Sequence, residues 1–107
     1  MTIFSAKESE QVQFIYPAEL TLWLSQNEKP ILIDVRNRED HLQSNLGGIN
    51  IPITEFASAI NHLDPDEPVV VYCQVGQKSF NAASLLVQAD FSCVYSLQGG
   101  IAAWHRK

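Results

Sequence analysis

Cys73 is the residue best placed to do chemistry. It ends the apolar run Val69-Val70-Val71-Tyr72, opens the loop Gln74-Val75-Gly76-Gln77-Lys78, and is followed by Ser79 and a helical pattern. A cysteine between a buried strand and a glycine-bearing loop that closes on a helix sits where backbone N–H groups converge on an anion. The helix N-terminus carries about half a positive charge, and the Lys78 ammonium adds a full one nearby. Such surroundings stabilise a thiolate or a persulfide anion and make the sulfur a nucleophile. Against this stands the ordinary fate of a free cysteine, a small apolar side chain finishing a strand. The second cysteine, Cys93, begins a later strand away from the loop and is expected to be a buried or edge thiol without a redox role. His41, His62 and His105 share no motif and fall in polar or terminal segments. They are expected at the surface, and no metal site is expected.

The elements that must position Cys73 follow from hydrophobic periodicity. Positions 1–11 are polar and unpatterned and are expected to be a loose N-terminus, with one domain over 12–107. Val12 to Ile15 alternate as a short edge strand. Pro17 suits the first position of a helix whose Leu20, Trp23 and Leu24 share one face, and that helix must stop before Pro30. Ile31-Leu32-Ile33-Asp34-Val35 reads as a strand buried on both faces. The charged stretch Arg36 to Ser44 has little periodicity; Gly47-Gly48 marks a turn and Ile49 to Pro52 a brief extended piece. Thr54 is expected to cap a helix burying Phe56, Ile60 and Leu63. After the turn Asp64 to Pro68, the run Val69 to Cys73 is the strongest strand. Ser79 is expected to cap a helix to about Ala89 that buries Phe80, Ala83, Leu86 and Val87. Cys93 to Leu97 forms a last strand, Gly99-Gly100 a turn, and Ile101 to Trp104 a closing helix; Trp23 and Trp104 read as core. Strands alternating with helices imply an α/β fold with a parallel sheet, whose ligands bind beyond the carboxyl ends of the strands.

Composition narrows the function. The 107 residues, 46% of them apolar, suffice for one core and not two. With 12 acidic against 7 basic groups the net charge of -5 has the wrong sign for a nucleic-acid binder. No apolar run is long enough to span a bilayer, and no basic segment leads into an apolar one at Met1 to Glu8. Two cysteines without ligand spacing suit a reducing compartment, so the expectation is a cytoplasmic protein with no membrane or nucleic-acid partner.

Four segments in order resemble the rhodanese-like domains: Leu32-Ile33-Asp34-Val35-Arg36, Gly48 to Pro52, Val70 to Ser79, and Val94 to Trp104. The resemblance implies a central five-stranded parallel sheet with helices on both faces and a six-residue active-site loop from Cys73 to Lys78. It implies that Cys73 takes a sulfane sulfur as a persulfide, with no cofactor, and passes it to cyanide, a thiol or a sulfur-carrier protein. Thiosulfate or a protein persulfide, such as that of a cysteine desulfurase, would be the donor. Gln74, Val75, Gly76, Gln77, Lys78 and Ser79 would contact the substrate, and Asp34 and Arg36 would brace the loop. The stretch Asp34 to Pro52, with Asn45-Leu46-Gly47-Gly48, looks like the rhodanese domain at the carboxyl end of adenylyltransferases that activate sulfur-carrier proteins for molybdopterin or thiamine synthesis. The family loop often ends in arginine where this chain has Lys78, which keeps the charge but loses the bidentate fork. Weaker thiosulfate binding is the expected consequence.

Two other readings compete. Phosphatases and arsenate reductases of the related type use a cysteine loop one residue longer that ends in arginine, a position Ser79 occupies here. A non-catalytic rhodanese-like module for protein binding would often lack the cysteine, which this chain keeps with Gly76 and a cationic loop end.

Overall fold

The computed structural model describes residues 11–106, so the N-terminal segment expected to be loose lies, Gln11 apart, outside the described residues. At the centre is strand β4 (Val69–Tyr72), every residue of which is buried. Its side chains alternate between two cores. Val69, Val71 and then Cys73 face one cluster with Ile33, Val35, Phe56, Ala82, Ala83 and Leu86; Val70 and Tyr72 face another with Ile15, Leu20, Leu32, Leu97 and Ile101. A strand fully buried on both faces needs covering layers on both sides, and each such side chain contributes about 1.5–3 kcal/mol.

The sheet has five parallel strands in the order β1 (Gln13–Ile15), β5 (Val94–Leu97), β4, β2 (Ile31–Asp34) and β3 (Ile49–Asn50). Helices α3 (Ile53–Ala59) and α4 (Gln77–Gln88) place Phe56, Ala82, Ala83 and Leu86 in the first core. Helices α1 (Pro17–Leu24) and α5 (Gly100–Arg106) place Leu20 and Ile101 in the second, with Trp23, Leu24 and Trp104 packed against it. The expected α/β architecture with helices on both faces is the one observed. A single 3-10 turn, Ile60–His62, extends α3.

Four local expectations need correction. The stretch after Arg36 holds a short helix, α2 (Arg38–Gln43), which has no buried residue and so left no apolar period; its N-cap is Asn37, whose side chain accepts from the Asp40 N–H at 2.9 Å. Helix α3 begins at Ile53 behind Pro52, so Thr54 lies within its first turn and is not the cap. Gly76, with φ of +109°, precedes α4, and Ser79 sits inside the first turn, not at the cap. Phe80 is 42% exposed and stacks on Phe14 with ring centroids 5.8 Å apart.

Candidate active site

The carboxyl end of β4 delivers Cys73 to the point where the chain turns into α4. The turn is short: Gly76 is the last residue before the helix, and its positive φ folds the loop back over the sulfur. Two backbone N–H groups then donate to Sγ, that of Gly76 at 3.1 Å and that of Ser79 at 3.2 Å. Sγ also lies 3.4 Å from the Ser79 hydroxyl, which donates to the Gly76 carbonyl at 3.1 Å and is 2.8 Å from Ser96 Oγ. Negative charge on the sulfur is met by these amide donors and by the N-terminus of a three-turn helix.

The loop is held from its other side by α5. The Ile101 N–H donates to the Cys73 carbonyl at 2.8 Å and the Ala102 N–H to the Gln74 carbonyl at 3.1 Å. Gly100 approaches so closely that a Cβ there would meet the carbonyl oxygens of Gln74 and Cys73, the latter at 2.6 Å, and its φ is +66°. The Gly99-Gly100 pair of the sequence is thus a close approach of backbone to loop as well as a turn.

Above the sulfur opens a cleft of about 520 Å³. Of the residues expected at the site, Cys73, Gln74, Val75, Gln77, Lys78 and Arg36 line it. Gly76 and Ser79 hold the sulfur from below, and Ser79 is fully buried. Asp34 is also fully buried and sits behind Arg36, whose Nη2 donates to it at 2.8 Å and whose backbone N–H donates at 2.9 Å. His41 departs from its expected surface position: Nδ1 lies 2.9 Å from the same carboxylate, which fixes Nδ1–H as the donor. Burial pushes the Asp34 carboxyl up, but the hydrogen bonds from Arg36 and His41 outweigh it and hold the group below the usual carboxylate range. Arg36 Nη2 also donates to the Ser44 carbonyl, and its guanidinium lies 5.9 Å from the centre of the Tyr72 ring. The Tyr72 hydroxyl, pushed up to about 12 chiefly by burial, accepts from the Leu46 N–H at 3.0 Å and so fixes the segment before β3.

Asn37, Asp40, Ile53 and Asn81 line the cleft as well and carried no signal in the sequence, because they reach it from α2, α3 and the second turn of α4. Ser96 likewise reaches the site only through the pairing of β4 with β5. Cys93 lies at the start of β5, beside Val69, the first residue of β4, and so at the opposite end of the sheet from Cys73. Among the described residues no group of histidine, cysteine and acidic side chains could hold a metal ion, and no helix is long and apolar enough to cross a membrane.

Comparisons with known proteins agree with this fold. The family described as "Rhodanese-like domain" matches residues 17–107. The chain is 35% identical over 85 residues to thiosulfate sulfurtransferase GlpE of Glaesserella parasuis, covering 78% of each. It is 37% identical over 75 residues to GlpE of Shewanella oneidensis, covering 69% of this chain and 74% of that one. The probable adenylyltransferase/sulfurtransferase MoeZ of Mycobacterium tuberculosis is 30% identical over 105 residues, 95% of this chain but 27% of MoeZ. Relatives thus include both short sulfurtransferases and part of a larger adenylyltransferase. The crystal structure of a rhodanese-related protein from Thermoplasma volcanium superposes with a TM-score of 0.78 at 27% identity, covering 88% of this chain and 91% of that one. Relatives named as sulfurtransferases support a sulfurtransferase role of the rhodanese type. With its five-stranded parallel sheet, its cysteine loop and these matches, the chain belongs to the rhodanese-like domain family.

Proposed function

We propose that this domain is a sulfurtransferase that carries sulfane sulfur on Cys73. The observation that supports it most is the pair of amide donors on Sγ at the floor of an open cleft. The Cys73 thiolate attacks the outer sulfur of thiosulfate, the S–S bond of the donor breaks, and its electron pair leaves with sulfite. Cys73 then holds a persulfide whose terminal sulfur projects into the cleft. A nucleophile such as cyanide attacks that sulfur, the Sγ–S bond breaks, and the pair returns to Sγ as thiolate, giving thiocyanate and the starting enzyme. The terminal sulfur passes Gln74, Val75, Gln77 and Lys78, and Arg36, which also lines the cleft, has its guanidinium tied to Asp34 and to the Ser44 carbonyl. Gly76 and Ser79 act by holding Sγ. Asp34 is a positioning residue, acting through Arg36.

A protein persulfide, such as that of a cysteine desulfurase, can replace thiosulfate as donor, and a thiol or sulfur-carrier protein can replace cyanide as acceptor. Lys78, exposed in the first turn of α4, offers an anion one point charge in place of a planar fork. Steady-state thiocyanate production tests the proposal, with Cys73→Ser and Cys93→Ser measured beside the parent. Turnover that disappears only in Cys73→Ser is expected. Equal turnover in Cys73→Ser would move the chemistry off Cys73, and no turnover in the parent with either a thiosulfate or a persulfide donor would move the assignment to a binding module.

A further inference from the structure

Charged groups around the cleft nearly cancel. Arg36, Lys78 and Asp40 line it, and Asp34 lies directly behind Arg36 in a 2.8 Å ion pair that neutralises the guanidinium. Lys78 and Asp40 remain, one of each sign, and among the described residues neither closes a salt bridge. Asp40 is exposed at the rim, held in the first turn of α2 by the Asn37 cap. It lines the cleft together with Arg36, whose guanidinium is favoured first by the Asp34 carboxylate, opposed by burial, and favoured to a lesser degree by Asp40.

The walls favour an organic group. Val35, Pro52, Ile53 and Val75 line the cleft, and its volume of about 520 Å³ lies in the range that receives organic ligands, far larger than a five-atom anion needs. We infer that Asp40 is a specificity-determining residue that turns the site away from the thiosulfate dianion and toward sulfane-sulfur donors bearing one negative charge or none on an organic group. This inference rests on the sulfur-transfer reading of Cys73. An acid in the first turn also stabilises its helix, so the test must read something helix stability does not move.

Two donors differing by one charge separate the effects: thiosulfate, and benzenethiosulfonate, whose outer sulfur passes to Cys73 while the S–S electron pair leaves with benzenesulfinate. Cyanide is the acceptor for both, and kcat/KM is read from thiocyanate. The parent should prefer benzenethiosulfonate. Because Coulomb energy is linear in donor charge, removing one negative charge in Asp40→Asn should raise kcat/KM about twofold for the monoanion and about fourfold, its square, for the dianion. Both gains should fade in high salt, where the screening length falls to about 3 Å at 1 M. Asp40→Glu, which keeps the charge, should keep the parent's ratio between donors. Equal changes for both donors, changes indifferent to salt, or a parent that prefers thiosulfate would overturn the inference while leaving sulfur transfer intact. A parent that gains no sulfur on Cys73 from either donor, read by intact mass, would overturn both.

Discussion

Ser79 offers the sharpest test of how the loop is built, because its hydroxyl is shared among three partners. It lies 3.4 Å from Cys73 Sγ, donates to the Gly76 carbonyl at 3.1 Å, and sits 2.8 Å from Ser96 Oγ. In Ser79→Ala the Gly76 carbonyl keeps the Phe80 N–H at 3.2 Å, but Ser96, 1% exposed, loses its side-chain partner. An orphaned buried hydroxyl costs about 1–3 kcal/mol, and that is the expected loss of stability. Ser96→Ala leaves Ser79 its acceptor on Gly76 and should cost only about 0.5–1.5 kcal/mol. The double variant has no orphan, so its cost should fall short of the sum by about 1 kcal/mol. Urea unfolding of the four proteins measures this, and each kcal/mol also moves Tm by about 4–8 °C in a domain of this size. Sulfur loading should fall about tenfold at most in Ser79→Ala, the worth of one hydrogen bond, since the Ser79 N–H remains on Sγ. Additive costs, agreeing within about 0.3 kcal/mol, would refute the shared network.

Gly100→Ala should distort the loop, since its Cβ would strike the carbonyls that α5 binds; both persulfide loading and thermal stability should drop, and unchanged loading would show that α5 does not set the loop. Asp34→Asn strands Arg36, only 7% exposed, without its counter-charge and should cost about 3–5 kcal/mol in urea unfolding. The Asp34 carboxyl is held below its unfolded value, so the stability it contributes is complete above about pH 4 and is lost as pH falls through the lower folded value; Asp34→Asn should flatten that acid limb. Lys78→Arg places a bidentate fork in the first turn of α4 and should raise kcat/KM for thiosulfate; no gain would assign the donor preference elsewhere in the cleft.

Much of this site was legible in the sequence for a simple reason: β4 is buried on both faces, so its apolar run is continuous and the polar, glycine-bearing loop after Cys73 stands out. The parallel order of strands was inferable from alternation, but their number came only with the family resemblance, since β1 and β3 have three and two residues. Helix α2 was invisible because it buries nothing. The helix starts at Ile53 and Gln77 are set by backbone geometry at Pro52 and Gly76, which a search for polar caps does not detect and which places Thr54 and Ser79 inside the first turns. Periodicity puts Phe80 on the core face of its helix, yet its partner is Phe14 at the sheet edge. His41, Asp40 and Ser96 gave no signal because their roles exist only once separate elements meet: α2 behind β2, and β5 beside β4.

The central claim is covalent sulfur on Cys73, and intact mass reads it directly. The protein is incubated with thiosulfate, and separately with a cysteine desulfurase and cysteine, beside Cys73→Ser and Cys93→Ser. The account predicts a gain of about 32 Da that cyanide removes and that only Cys73→Ser abolishes. No gain from either donor, or a gain that survives in Cys73→Ser, would contradict it.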